Sequence, residues 1–392
     1  MRRDTTTPEG MKTMQLRGHW YRGGTSKCWL FDAKDVAPHA AGHEEIRGLL
    51  ANAFGAADAR QLDGVGGGTS TTSKAAVVWA TPDGPADLDY LFAQVGIGDP
   101  TVELGSNCGN CATAIALYAV QSGVVPPGEG TTRVSMRNLN TGAVLSGTIV
   151  TPGGSIPTSG LATVPGSSAP GVPVSLSFHA PWGRTTGAVL PTGNVTDEIA
   201  VGGLTLTATL VDAGAPAALI LADEAGIDLS SMTGNLAEHL PRLLKARASA
   251  GLAMGLRKPE DPPQNAVPKV GVVAAPGAYT AADGTRITAE SHDLRVRMLS
   301  MLTPHPAIGL TSAVAVSLAA ALPGSVVAKV LPPAGRVHQG PRLLRIGTPA
   351  GVITTEVVTD NDGNVTEVVL HRAARHLAAA DINVAQPVAQ TA

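Results

Sequence analysis

The residues CGNCATAIALYAVQS, from Cys108 to Ser122, and PAIGLTSAVAVSLAAAL, from Pro306 to Leu322, are apolar almost all the way round a helical wheel. A helix of that kind offers no face to water and must be enclosed on every side. The first is expected to stop at Gly123 and the second at Pro323-Gly324, residues that end helices. The sequence around them alternates with period two. Leu204-Thr205-Leu206-Thr207-Ala208-Thr209-Leu210 is the clearest case, and AAVVWA from Ala75, RVSMRNL from Arg133, VSLSF from Val174, KVGVVAA from Lys269 and VITTEVV from Val352 are similar. Such runs read as short strands, separated here by tight turns that draw on 46 Gly and 29 Pro. One enclosed helix per half, wrapped by strands, predicts an α+β fold. It would have two similar lobes, each a barrel-like sheet around a central apolar helix, with an active-site cleft between them.

Two further helices are expected near His43–Phe54 and Asn235–Ala248, both amphipathic, the second kinked at or beginning at Pro241. The Pro- and Gly-rich run VPGSSAPGVP and the turn LPTGN place the lobe boundary near Gly193-Asn194. The expected organisation is a flexible tail over 1–14, a first lobe over 15–193 and a second over 194–392, with the last strand or helix packing back on the first lobe.

Composition excludes several classes. The 392 residues are enough for two domains and bury a large core without a metal or disulfide staple. A net charge of −3, with 15% charged residues and four each of Trp, Tyr and Phe, leaves no basic stripe for nucleic acid. The apolar runs are too short to span a bilayer, and MRRDTTTPEGMKTM has no apolar stretch behind its charges, so neither a membrane anchor nor a secretory signal is expected. Three cysteines, Cys28, Cys108 and Cys111, make a poor disulfide framework and suit a reducing, cytoplasmic setting. Cys108 and Cys111 form a C-x-x-C, but without a second ligand pair for zinc or a thioredoxin-like setting. No metal site is expected.

Three clusters in the first lobe mix glycine, hydroxyls and one reactive group: Arg22-Gly23-Gly24-Thr25-Ser26-Lys27, then Gly66-Gly67-Gly68-Thr69-Ser70-Thr71-Thr72-Ser73-Lys74, then Gly105-Ser106-Asn107-Cys108-Gly109-Asn110. Glycine lets backbone amides approach a ligand, and hydroxyls add donors. The second cluster is neither a P-loop nor a dinucleotide fingerprint, because no G-K-[ST] follows and no helix opens on it. Each cluster taken singly is equally a plain turn, and a cysteine at a helix start is often only a small buried hydrophobe. Three together point to an anion site at the start of the first apolar helix, where amides and helix dipole favour a carboxylate and lower a thiol pKa. His305, before the second helix, is either a packing residue or an anion ligand.

These motifs resemble the PrpF family. The likeness continues through Leu190-Pro191-Thr192-Gly193, Val211-Asp212-Ala213, Arg297 with Ser300-Met301, His305 with Thr311, and Gly347-Thr348-Pro349-Ala350-Gly351. It covers Leu16 to Asp381 in order. The resemblance implies a diaminopimelate epimerase-like fold and a cofactor-independent isomerisation of an unsaturated, aconitate-like di- or tricarboxylate, by proton and double-bond shift or cis–trans interconversion. It implies Lys74 and Cys108 as the acid–base pair. Thr25, Ser26, Lys27, Gly68, Thr69, Ser70, Ser73, Asn107, Gly109, Asn110, Arg297 and His305 would bind the substrate. Cys28 and Cys111 replace a glycine and a methionine common in the family, and Ser300-Met301-Leu302-Thr303-Pro304-His305 lacks the Gly-Lys expected in its middle.

Epimerases of this fold use one cysteine from each lobe, and here no cysteine follows Cys111. That disfavours a two-thiol racemase, although a racemase pairing Cys108 with a non-cysteine base stays open, as does a non-catalytic carboxylate-binding or accessory protein. The expected partner is the small acid, with neither nucleic acid nor membrane, in a protein whose default assembly is a homodimer.

Overall fold

The computed structural model describes residues 13–105, 107–234, 236–261, 267–333 and 342–385. The chain forms two compact units, Met1–Gly160 with Ala374–Ala392, and Leu161–Ala373.

In the first unit the order is β1 (Thr13–Gly23), β2 (Ser26–Asp32), α1 (Ala33–Val36), α2 (His43–Phe54), β3 (Lys74–Ala80), β4 (Leu88–Val95), β5 (Val102–Glu103), α3 (Gly109–Gln121), β6 (Gly130–Asn138) and β7 (Val144–Thr151). β1 and β2 form an antiparallel hairpin, β2 runs parallel to β3, and β3 pairs antiparallel with β4. α3 packs on β1, β2, β3, β6 and β7, and every side chain from Cys111 to Val120 is buried. This is the enclosure its uniform apolarity requires. Its limits match the expected Cys108–Ser122 with those two residues as caps, and Gly123 follows at φ +77°. α2 buries Ile46, Leu49, Leu50, Ala53 and Phe54, the spacing of one helical face, in a second apolar cluster with Trp29, Phe31 and Leu91.

In the second unit the order is β8 (Ala162–Val164), β9 (Ser167–His179), β10 (Asp197–Val201), β11 (Leu204–Ala213), β12 (Ala215–Leu221), α4 (Leu240–Ala253), β13 (Lys269–Ala274), β14 (Tyr279–Thr280), β15 (Arg286–Ile287), β16 (Leu294–Ser300), β17 (Thr303–Pro304), α5 (Leu310–Ala321), α6 (Val326–Val330), β18 (Arg342–Thr348) and β19 (Gly351–Thr359). α5 packs on β11, β12, β19 and α6, and is buried from Ser312 to Ala320. It starts at Leu310 rather than Pro306, because the His305 side chain accepts the Ala307 amide at 3.0 Å and holds that stretch in a turn. It stops at Leu322, extended at ψ 109° as a residue before proline must be. α4 begins where Pro241 can occupy its first turn, while Asn235 lies outside the described residues.

A last strand, β20 (Val365–Ala385), pairs antiparallel with β19 through Val365–Leu370 and with β1 through Ala374–Ala385. The units thus divide at Gly160 and again at Ala373, rather than near Gly193-Asn194. The Pro- and Gly-rich run is no linker: its residues lie in β8, β9 and the turn between them. The turn at Gly193 is tied within the second unit, with Thr192 Oγ1 donating to Asp197 Oδ2 at 2.8 Å. Of the expected tail, Thr13 and Met14 belong to β1, and residues 1–12 lie outside the described residues. Among the described residues no helix is long and apolar enough to cross a membrane.

The hairpin β1–β2 approaches α3 at Gly23, where a Cβ would sit 1.9 Å from the Asn110 carbonyl oxygen. Gly48, exposed on α2, has nothing within 4 Å of its own Cβ position. Gly23→Ala is therefore expected to destabilise by about 1–3 kcal/mol or more through overpacking. Gly48→Ala should stabilise by about 0.5–1 kcal/mol through the helix preference for alanine. Urea midpoints of the two variants, shifting in opposite directions, check both.

Candidate active site

The three glycine- and hydroxyl-rich clusters meet at the start of α3. Asn110 Nδ2 donates to Thr25 Oγ1 at 3.2 Å and to Ser26 Oγ at 3.1 Å, joining the third cluster to the first. The Lys27 amide donates to the Thr71 carbonyl at 2.9 Å, joining the first to the second. Asn107 is held by the hydroxyl of buried Tyr90, which donates to its Oδ1 at 2.8 Å. The first-turn amides of α3, Gly109 and Asn110 among them, have no acceptor within the helix, so this end of α3 is an anion-favouring surface. Ser106 lies outside the described residues. Thr69 and Ser70 are exposed on the neighbouring loop, which turns at Gly68 with φ +66°.

Lys74 opens β3 directly opposite Gln94 of β4. Its Nζ donates to Gln94 Oε1 at 2.5 Å and lies 5.2 Å from the centre of the Phe92 ring. Gln94 is itself oriented, since its Nε2 donates to the Ser73 carbonyl at 3.0 Å. The preceding loop hangs on Gln61, which is 2% exposed and sits at φ +52°. Gln61 Oε1 accepts from Ser73 Oγ at 2.6 Å and from the Gly68 amide at 2.8 Å, while its Nε2 donates to the Gly96 carbonyl at 2.9 Å. Ser73 is fully buried and its hydroxyl is committed to Gln61. It shapes the loop instead of offering a donor to a ligand, contrary to its expected binding role. Lys27 is half-buried with Nζ 4.5 Å above the Trp20 ring.

Gln61, Gln94 and Tyr90 were not among the expected site residues. All three lie outside the glycine-rich clusters. The one sequence signal is in LFAQV, where Gln94 interrupts an otherwise apolar run of five residues.

Cys108, half-buried as the N-cap residue of α3, is coupled electrostatically to Cys111, and Cys111 to Cys28. The charge of Lys74 bears on both Cys108 and Cys111 and pulls their pKa values down. It does not prevail. The contact with Cys111 and burial push the Cys108 thiol well above its ordinary range, and burial does the same to Cys111. The expected lowering is thus not what the site shows: at Cys108 the contact with Cys111 first, and burial second, raise the thiol.

The two expected residues of the second unit have local partners. Arg297, 5% exposed, donates from Nη1 to the carbonyls of Met232 and Gly234. Those bonds commit it to the loop ahead of α4. His305 donates its amide to the Met298 carbonyl at 2.8 Å, and burial with the nearby charge of Lys269 pushes its imidazole down to about 4. At neutral pH it is an uncharged hydrogen-bonding group rather than an anion's counter-charge. Among the described residues no three His, Cys, Asp or Glu side chains are grouped to hold a metal ion.

Comparison with known proteins agrees with the motif pattern over almost the entire chain. The family model described as PrpF protein matches residues 14–385. The chain belongs to the PrpF family. Its relatives in that family include the (4E)-oxalomesaconate Delta-isomerase of Novosphingobium sp. (strain KA1), 35% identical over 91% of this chain and 94% of that protein. The 2-methyl-aconitate isomerase of Shewanella oneidensis is 32% identical over 95% of this chain and 98% of its own length. The crystal structure of a methylitaconate-delta-isomerase superposes with a TM-score of 0.83 at 29% identity, covering 97% of this chain and 99% of that one. This PrpF chain therefore shares its fold with that isomerase over 97% of its length.

Two outcomes follow from the geometry. Gln61→Leu leaves the Ser73 hydroxyl and the Gly68 amide without their acceptor, and should cost about 1–3 kcal/mol for each donor left buried, read as a lower urea midpoint. Between pH 6.5 and about 4 the folded state binds fewer protons at His305 than the unfolded chain does. Stability therefore falls as pH drops through that window, and His305→Asn should flatten the dependence in a pH series of unfolding midpoints.

Proposed function

We propose that this protein is a cofactor-independent isomerase of a small unsaturated di- or tricarboxylate, moving a proton and a double bond along an allylic system. The observation that carries this reading is the placement of Lys74 and Cys108 in one unit beside the amide-rich start of α3, with Asn110, Thr25 and Ser26 linked around it. A carboxylate held there keeps its conjugated double bond within reach of both groups. The relatives are named as isomerases of oxalomesaconate and 2-methyl-aconitate, acids of this class.

The chemistry divides between the two side chains. Lys74 acts as the base and takes a proton from the carbon next to the double bond. The electron pair spreads through the double bond into the bound carboxylate, whose negative charge the α3 amides and the Asn110 side chain stabilise. Cys108, whose raised pKa keeps it a thiol at neutral pH, returns a proton at the far end of the allyl system. Lys74 then gives its proton to the cysteine thiolate, and the pair is reset. Gln94 accepts one N–H of Lys74 and so aims the lone pair. Of the expected substrate contacts, Thr25, Ser26, Lys27, Gly68, Thr69, Ser70, Asn107, Gly109 and Asn110 remain assigned to carboxylate binding. A racemase is disfavoured because inversion needs acid and base on opposite faces, and both groups here come from one unit.

Lys74→Met and Cys108→Ser should each lower kcat by at least about a hundredfold in a folded protein. Proton NMR in D₂O, with cis- and trans-aconitate, 2-methylaconitate, methylitaconate and oxalomesaconate, tests the reaction class. Deuterium entering an allylic carbon as the double bond moves supports the proposal. Exchange at a stereocentre with no double-bond movement would identify a racemase instead, and silence across the panel from folded protein would favour a carboxylate-binding protein.

A further inference from the structure

The third glycine- and hydroxyl-rich cluster runs into a C-x-x-C, Cys108 to Cys111, that the isomerase chemistry uses only in part. Cys108 is the N-cap of α3 and Cys111 lies three residues on in its first turn, one helical turn along the same face, and each thiol bears on the titration of the other. The two differ in access: Cys108 is half-buried, whereas Cys111 is fully buried beneath it. Cys28, 1% exposed, also bears on the titration of Cys111. All three are free thiols. An accessible sulfur at a helix start, a buried sulfur three residues on and a nearby lysine charge are the arrangement in which a dithiol oxidises and is reduced again.

We propose that Cys108 and Cys111 are a reversible oxidation site, joined into a disulfide by hydroperoxides and reopened by small thiols. In the first step the Cys108 thiolate attacks hydrogen peroxide. An S–O bond forms, the O–O bond breaks and hydroxide leaves to take up a proton as water, leaving a sulfenic acid. Cys111 then loses its proton and attacks the Cys108 sulfur, so that the S–S bond forms and the S–OH bond breaks to release a second water. Two thiols are oxidised by two electrons and the peroxide is reduced to two waters. Two equivalents of a small thiol reverse the change by exchange, themselves ending as a disulfide. Because Cys111 closes on the sulfenic acid, Cys108 is shielded from irreversible oxidation to sulfinic acid. Burial disfavours both thiolates, so the oxidation should quicken as pH rises.

This site goes beyond the isomerase reading and is tested without it. The full-length protein is treated with hydrogen peroxide, denatured with an alkylating agent and mapped by peptide mass spectrometry. The expected result is a Cys108–Cys111 link in peroxide-treated wild type, only Cys28 alkylated, and all three thiols recovered with dithiothreitol. Cys28→Ala should keep the link. Cys111→Ala should instead accumulate Cys108 sulfinic acid that dithiothreitol does not reverse. The proposal is overturned if wild type keeps three alkylatable thiols, if the link is between Cys28 and Cys111, or if Cys108 passes to sulfinic acid with no link. Should Cys111→Ala fail to fold, the wild-type map decides alone. Any isomerase activity should fall and return with the disulfide, but its absence leaves the thiol map untouched.

Discussion

The Asn110 carbonyl lies where a side chain on Gly23 would begin, and the candidate site depends on that close approach. Because the β1–β2 hairpin can press directly on the first turn of α3, the Asn110 side chain reaches Thr25 and Ser26. The same closeness brings Lys27 to the Thr71 carbonyl, so the loop leading to Lys74 is held beside the helix start. A residue larger than glycine would separate hairpin from helix and undo these links together. The rest of α3 serves the same end. Its buried apolar surface, from Cys111 to Val120, fixes the helix among its strands and so fixes where its first amides point.

The electrostatics of the site follow from burial more than from the helix dipole. A helix start and a lysine both favour a thiolate, yet Cys108 is held as a thiol by its contact with Cys111 and by burial, and Cys111 by burial, where a charge loses its hydration. A proton donor needs that property, and an oxidation-prone thiol is slowed by it. The same balance governs His305 in the second unit, where burial and Lys269 keep the imidazole neutral. Polar order in the first unit comes from neutral groups. Gln61, Gln94, Tyr90 and Asn140 each satisfy a fixed set of donors and acceptors, with Asn140 bridging the Phe92 and Leu104 backbones at 2.7–2.8 Å. Neutral amides fix position without adding a buried charge that would need a partner.

Much of this was legible in the chain itself. The enclosed helices could be read because apolarity on every face admits few other structures, and the amphipathic α2 matched its predicted limits of His43 and Phe54. Gly123 and Pro323 marked where the central helices end, since both act locally on the backbone. The glycine- and hydroxyl-rich clusters, Lys74 and Cys108 stood out by composition, and their order along the chain carried the family resemblance.

The sequence by itself therefore determined the α+β class, the two central helices and the residues with reactive groups, because each depends on a local pattern. Only the tertiary structure decided the division of the chain at Gly160 and Ala373, since the long strand β20 pairs with partners far apart in sequence. It alone decided that Gln94 faces Lys74, that Ser73 is committed to Gln61 and Arg297 to the loop ahead of α4, and that the three cysteines bear on one another's titration. It also decided the direction of the cysteine pKa shifts. Register, burial and desolvation are properties of what surrounds a residue, and those surroundings come from distant parts of the chain.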